Sequence, residues 1–215
     1  MFITDPMLYF VTPEIGENVE KWLTVIQQAV LGGATIVQIR DKKCSAQKMV
    51  ETARRIHPFL RNKGVSLLIN DRVDIAHAIN ADGVHLGQSD LKVTEARAIL
   101  GDKAIIGLSV ETIDQAMNAL HEDISYLAAS PVFQTKTKMD CGEPWGLNGL
   151  RHLCAISQHP IVAIGGIDAT NVEGVLECGA VGIAVVSAIV KAPCPETAAR
   201  EIISKMRKYA HSRLG

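Results

Sequence analysis

The stretch IVQIRDKKCSAQKMVETARRIHPFLRNKGVSLLIN, residues 36–70, decides the fold. It opens on IVQIR and closes on SLLIN, two short apolar runs of branched aliphatics. Between them Met49, Val50, Ala53, Ile56 and Leu60 recur at helical spacing. Strand, helix and strand in that order make a parallel crossover unit, whose strands are covered on both faces and so lack the alternation of a half-exposed strand.

The same alternation extends in both directions. Upstream lies LYFVT from Leu8, then an amphipathic stretch from Asn18 to Leu31 carrying Val19, Trp22, Leu23, Ile26 and Val30, stopped by Gly32-Gly33. Downstream come GVHLG from Gly83, IIGLS from Ile105, ISYLAAS from Ile124, IVAIG from Ile161 and GIAVVS from Gly182. Eight such units predict an α/β protein of one domain over residues 1–215, a single (β/α)8 TIM barrel. An open doubly wound sheet is the rival reading. At about 27 residues per unit the barrel is lean, with no room for a linker. One connection breaks this economy, the polar segment FQTKTKMDCGEPWGL after the sixth strand, and long connections in compact folds tend to be functional or disordered.

Composition removes several classes. With 47% hydrophobic and 21% charged residues, the chain has enough apolar material for a large core and too much for a disordered segment. Its 22 basic side chains are offset by 23 acidic ones, which excludes a polycationic nucleic-acid binder. The richest apolar run, Gly179 to Val190, is broken by Gly182 and Ser187 and falls short of a membrane span. MFITDPMLYF at the N-terminus lacks a basic n-region, so a cytoplasmic location is expected. Cys44, Cys141, Cys154, Cys178 and Cys194 form no CxxC pair and read as reduced thiols.

Barrel enzymes carry their chemistry at the C-terminal ends of the strands. In the second strand Gln38 and Arg40 share a face by the period of two, and Lys42 extends the row, so three polar groups converge on one anion. A solvated strand end would explain Arg40 and Lys42 but not an inward Gln38. The third strand ends in Asn70-Asp71, and the fourth runs through His85 to Asp90. Either aspartate alone reads as a helix N-cap; the pair, after adjacent strands, reads as oxygen ligands for one Mg2+. Packing in the barrel interior explains His85 better than metal ligation. The fifth strand ends in Ser109, a binding hydroxyl rather than a nucleophile, because no Asp and His stand in an obvious triad with it. Thr135, Thr137 and Lys138 suit either a phosphate cradle or a flexible polar loop. Gly165-Gly166 and Val186-Ser187, after strands seven and eight, stand where this fold builds phosphate sites. Arg40, Lys42, Lys136 and Lys138 together predict a locally cationic mouth on a charge-balanced chain, sized for two phosphorylated substrates or one long one.

Seven segments in order, QIRDK from Gln38, INDRVDIA from Ile69, ADGVHLGQSD from Ala81, IGLSVET from Ile106, PVFQTKTKMD from Pro131, VAIGGI from Val162 and AVVSAI from Ala184, resemble the thiamine phosphate synthase family. The resemblance spans nearly the whole chain. It implies joining of 4-amino-2-methyl-5-hydroxymethylpyrimidine diphosphate to 4-methyl-5-(2-phosphooxyethyl)thiazole, or its carboxylated form, with release of pyrophosphate. By resemblance, Gln38, Ile39, Arg40, Asp41 and Lys42, with Asn70 and Ser109, hold the pyrimidine diphosphate. Asp71 and Asp90 bind Mg2+, and Lys136 and Lys138 face the diphosphate. Thr135 and Thr137 line the thiazole phosphate side, completed by Gly166, Val186 and Ser187. Arg40, Lys42, Ser109 and Lys138 are the implied catalytic set, acting on a dissociative reaction in which pyrophosphate leaves before the thiazole nitrogen attacks.

Three positions depart from the family pattern: Ser130 before Pro131, Gln134 before Thr135, and Trp145 before Gly146-Leu147. They bear on the loop over the substrates more than on the reaction. The related thiazole tautomerase needs no diphosphate or metal site, so the retained Arg40, Lys42, Asp71, Asp90 and TKTK segment speak against it, as they do against a silent precursor-binding paralogue. The implied partners are small phosphorylated molecules, with no nucleic acid and no membrane. Oligomeric state stays open, a homo-oligomer included.

Overall fold

The computed structural model describes residues 7–16, 18–135 and 142–212. Eight strands, β1 (Met7–Val11), β2 (Ile36–Ile39), β3 (Ser66–Asn70), β4 (Gly83–Leu86), β5 (Ile105–Val110), β6 (Tyr126–Ala129), β7 (Ile161–Ile164) and β8 (Gly182–Val185), pair in parallel in chain order. The ring closes where Met7 to Phe10 of β1 pair with Gly182 to Val185 of β8. Closure excludes the open doubly wound sheet.

Helices alternate with the strands: α1 (Val19–Leu31), α2 (Ala46–Asn62), α3 (Val73–Ala78), α4 (Val93–Leu100), α5 (Ile113–Asn118), α6 (Gly146–Ile156), α7 (Val172–Glu177), α8 (Ser187–Val190) and α9 (Pro195–Ser212). Local sequence sets their ends. The Asn18 side chain accepts from the Lys21 N–H at 3.1 Å to start α1, and Ser45 accepts from Lys48 at 3.2 Å to start α2. The short α8, distinct from the long α9 that follows, was not legible in the pattern of apolar positions.

Period-two alternation divides the strand side chains into two shells. Leu8, Phe10, Val37, Ile39, Leu67 and Ile69 face outward and pack with helix residues such as Ile26, Ile56 and Met206. Tyr9, Val11, Ile36, Leu68, Tyr126, Ala128, Val162 and Ala184 face inward and fill the barrel. Among the described residues no helix is long and apolar enough to cross a membrane.

Candidate active site

A cavity of about 420 Å³ opens at the C-terminal ends of the strands, floored by inward residues such as Tyr9, Val11 and Ala128. Gln38, Arg40, Lys42, Asn70, Asp71 and Asp90 line it from β2, β3, β4 and the segments after them. Gly166, Val186 and Ser187 line it from the segments after β7 and β8, and Ser109 and Thr135 from those of β5 and β6. Eleven of the residues picked from the sequence therefore share one space. Lys136, Thr137, Lys138 and Cys141 lie outside the described residues.

Two expected members have their side chains elsewhere. Ile39 is fully buried in the outer shell, as its odd position in β2 demands. The Asp41 carboxylate is turned to the backbone: Oδ2 accepts from Ile15 and Gly16, at 2.8 and 3.2 Å, and Oδ1 from Lys43 and Cys44, both at 3.0 Å. Its task is to clamp the segment after β1 onto the segment after β2, between Arg40 and Lys42. The Arg40 N–H adds a tie to Thr12 Oγ1 at 3.0 Å.

Asp71 and Asp90 do not cap helices; the N-caps of α3 and α4 are Arg72 and Lys92. Asp71 instead holds a left-handed backbone, φ 61°, which turns it back over the strand end. Lys42 Nζ lies 3.3 Å from its Oδ2. Burial raises the Asp71 carboxyl above its ordinary value, the neighbouring Asp90 carboxyl raises it further, and Lys42 opposes both. Asp90 Oδ2 also accepts from the Gly87 N–H at 2.7 Å. Two carboxylates pressed together in this way fit a hard divalent cation, which would relieve their repulsion. Among the described residues no cluster of three or more His, Cys, Asp or Glu suits a metal, so this pair would leave coordination sites for water or phosphate oxygen.

The floor carries a hydrogen-bonded chain. Gln38 Nε2 donates to the Tyr9 hydroxyl at 2.5 Å, and the Tyr126 hydroxyl donates to the same oxygen at 3.1 Å. His85 Nδ1 lies 2.9 Å from the Tyr126 hydroxyl, and Nε2 lies 2.8 Å from Ser109 Oγ. Thus His85 lies on the inward face of β4, as its strand position implied, but it also lines the cavity, and both ring nitrogens have protein partners. It also touches Ser109, a pairing that the sequence did not suggest. The third group is a tyrosine hydroxyl rather than a carboxylate, so the arrangement is not a nucleophilic triad. Gly107 makes room for it: a Cβ there would fall 2.2 Å from Tyr126 Cζ and 2.6 Å from His85 Nδ1.

At the opposite end Gly166 has φ 67°, and a Cβ would meet Phe133 Cβ at 2.8 Å and the Gln134 carbonyl at 2.9 Å. Only glycine lets the segment after β7 pass this close to the start of the sixth connection. The far end of that connection is anchored too. Trp145, one of the unusual residues, donates from Nε1 to the Val110 carbonyl at 3.3 Å and from its backbone N–H to the Pro131 carbonyl at 2.9 Å.

Tyr9, Thr12, Gln88, Glu111 and Gln115 also line the cavity and were missed in the sequence. Gln88 Nε2 donates to the Ser109 carbonyl at 2.7 Å, and Glu111 accepts from the Gly142 N–H at 3.3 Å. Tyr9 and Tyr126 carried a readable signal, inward positions in β1 and β6 in a chain with three tyrosines. Among the described residues Arg40 and Lys42 share the cavity lining with Asp71, Asp90 and Glu111, while Lys136 and Lys138, the other half of the expected cationic mouth, lie outside the described residues.

A family model described as thiamine monophosphate synthase matches residues 8–189, from the first strand into α8. The thiamine-phosphate synthase of Chloroflexus aurantiacus is 45% identical over 203 residues, covering 93% of this chain and 92% of that one. The thiamine-phosphate synthase of Vibrio parahaemolyticus is 42% identical over 199 residues, 93% and 97% of the two chains. Among solved structures, the thiamine phosphate pyrophosphorylase of Pyrococcus furiosus superposes with a TM-score of 0.83 at 34% identity over 97% of each chain. With the match running through both lined ends of the cavity, the chain belongs to the thiamine monophosphate synthase family.

Proposed function

We propose that the cavity joins a pyrimidine diphosphate to a thiazole phosphate, releasing pyrophosphate and forming thiamine monophosphate. This is the transferase activity named for the relatives. One observation carries the assignment of ends: a cation and carboxylate cluster of Arg40, Lys42, Asp71 and Asp90 shares a single cavity with the glycine and helix-start segment of Gly166, Val186 and Ser187. The first end suits a diphosphate with its counter-cation, and the second a monophosphate.

In this reading Gln38, Arg40, Lys42, Asn70 and Ser109 bind the pyrimidine diphosphate, and Thr135, Gly166, Val186 and Ser187 bind the thiazole phosphate. From the segment outside the described residues, Lys136 and Lys138 are assigned to the diphosphate and Thr137 to the thiazole side. Asp71 and Asp90 would hold Mg2+, which when bound supplies charge stabilisation on the leaving pyrophosphate. Arg40, Lys42 and Lys138 add fixed positive charge beside the same leaving group. The reaction is dissociative: the bond to the diphosphate oxygen breaks first, and the thiazole nitrogen closes on the pyrimidine carbocation. The engagement of both His85 nitrogens accords with chemistry that asks for charge stabilisation rather than a strong base. Substrates of this kind are small, highly charged and membrane-impermeant, which goes with a cytoplasmic enzyme.

The test is release of pyrophosphate on mixing the two substrates with the protein, with and without Mg2+. Release only with both substrates and the metal is expected. A tautomerase or a silent binder would release none, and that result would overturn the proposal.

A further inference from the structure

Three successive carbonyls at the end of β7 are each held by a group that does not line the cavity. Ile164 accepts from the Val132 N–H at 2.8 Å, and Gly165 from the Phe133 N–H at 3.0 Å. The third, Gly166, accepts from Asn171 Nδ2 at 2.9 Å, while Asn171 Oδ1 accepts from the Asp168 N–H at 3.0 Å. A carbonyl only accepts and an N–H only donates, so these two partners fix which way the Asn171 amide points. Asn171 stands at the start of α7, where an asparagine ordinarily caps the helix, yet its side chain makes no cap bond and is turned back to the glycine segment instead. A trans peptide sets its N–H opposite its C=O. With the Gly166 carbonyl turned to Asn171, the Ile167 N–H points the other way, toward the cavity. Ile167 lines that cavity although its side chain packs in the outer shell, so what it offers there is main chain. Among the described residues no backbone carbonyl accepts from its N–H.

We infer that Asn171, which does not line the cavity, is a positioning residue for its phosphate end: by holding the Gly166 carbonyl and the Asp168 N–H it locks the 166–167 peptide so that the Ile167 N–H donates to a phosphate oxygen. That the phosphate belongs to a thiazole rests on the proposed function; the anion site does not. The lock is needed because Gly166, at φ 67° and without a side chain, lets this peptide rotate, and a flipped peptide would present a carbonyl to the anion. The rest of the segment is tied by other groups. Asp168 Oδ1 accepts from the Thr170 N–H and hydroxyl at 2.8 and 2.6 Å, and Lys205 Nζ, from α9, donates to the Ala169 carbonyl at 2.6 Å. These bonds hold residues 168–170 and leave the 166–167 peptide to Asn171.

The experiment uses the full chain labelled with 13C at glycine carbonyls and 15N at isoleucine. The sequence has two Gly-Ile pairs, Gly166-Ile167 and Gly182-Ile183, so a spectrum selecting amides that follow a labelled carbonyl shows two signals, with Ile183 in β8 as the control. Titration with inorganic phosphate should move the Ile167 amide proton downfield, as donation to an anion requires, and leave Ile183 in place. Asn171→Ala should lose most of that movement. In the same variant KM for the thiazole phosphate should rise about tenfold, the effect of one misdirected charge-assisted hydrogen bond, while KM for the pyrimidine diphosphate stays unchanged, a split that general loosening of the barrel would not produce. A parent whose Ile167 amide does not respond to phosphate overturns the inference, even if Asn171→Ala fails to fold. So does a folded Asn171→Ala that keeps both the response and KM. Absence of pyrophosphate release by the parent, with the Ile167 response intact, would instead count against the proposed function while supporting the inference.

Discussion

Replacing Asp41 by asparagine should destabilise the barrel more than any other loss of one charge near the cavity. The aspartate sits among four backbone N–H donors, two on each carboxylate oxygen. Asparagine keeps one oxygen and turns an NH2 toward the other pair. Two charge-assisted bonds are lost at about 1.5 kcal/mol each, and the remaining two weaken by about 0.5 kcal/mol each, for a total of about 4 kcal/mol. In a chain of this size that lowers Tm by about 12 °C, read by circular dichroism at pH 7. The difference also has a pH signature. Burial pushes the Asp41 carboxyl up, but the four N–H donors outweigh it and leave the group below its ordinary value. A depressed carboxyl stabilises the fold fully above its unfolded pKa, about 3.9, and loses that contribution as pH falls through its lower folded value. The gap between parent and Asp41→Asn should therefore be constant from neutral pH to about 5 and close below about 4. A gap under about 1 kcal/mol at pH 7, or one that persists undiminished into strong acid, would refute the clamp.

Asp71→Asn and Asp90→Asn should each remove most Mg2+-dependent pyrophosphate release with little change in Tm, since neither carboxylate caps a helix and asparagine at 90 keeps an oxygen for the Gly87 N–H; full activity in both would sink the metal assignment. Gly107→Ala forces a methyl to within 2.2 Å of the Tyr126 ring, and thermal melts should show a loss of about 2 kcal/mol or more. Lys138→Ala should reduce turnover far more than thermal stability; an unfolded variant would instead mark a structural role.

The fold was legible because its signal is repetitive. A run such as IVQI or SLLI is ambiguous alone, but eight of them at near-even spacing leave one closed arrangement. The lined ends of the cavity were legible because period two places Gln38 and Arg40 on one face, and because glycine pairs mark close backbone approach. What stayed hidden depends on contacts between distant strands. His85 and Ser109 are 24 positions apart, and Tyr9 and Tyr126 are 117 apart; nothing local announces either pairing. Asp41 has a role of another kind, also hidden from the local pattern. Its place in QIRDK suggested a ligand contact, yet its carboxylate serves the backbone, because a strand end that presents Arg40 and Lys42 must itself be held.

The balance of charge in the cavity bears on the reaction more directly than the net charge of the chain. Were the mouth simply cationic, a diphosphate would bind without help. Among the described lining residues, however, two cations stand with three carboxylates, and Lys42 is already engaged with Asp71. A polyanion approaching Asp71 and Asp90 would be repelled unless a cation arrived with it, and then the same pair would change from repelling the ligand to holding its counter-ion. This makes binding of the two coupled. The proposed diphosphate site thus predicts that Mg2+ and the pyrimidine diphosphate each tighten the other, by the same factor, in a titration by calorimetry. Binding of the diphosphate at equal strength with and without Mg2+ would show that Arg40 and Lys42 suffice, and that the carboxylate pair serves something else.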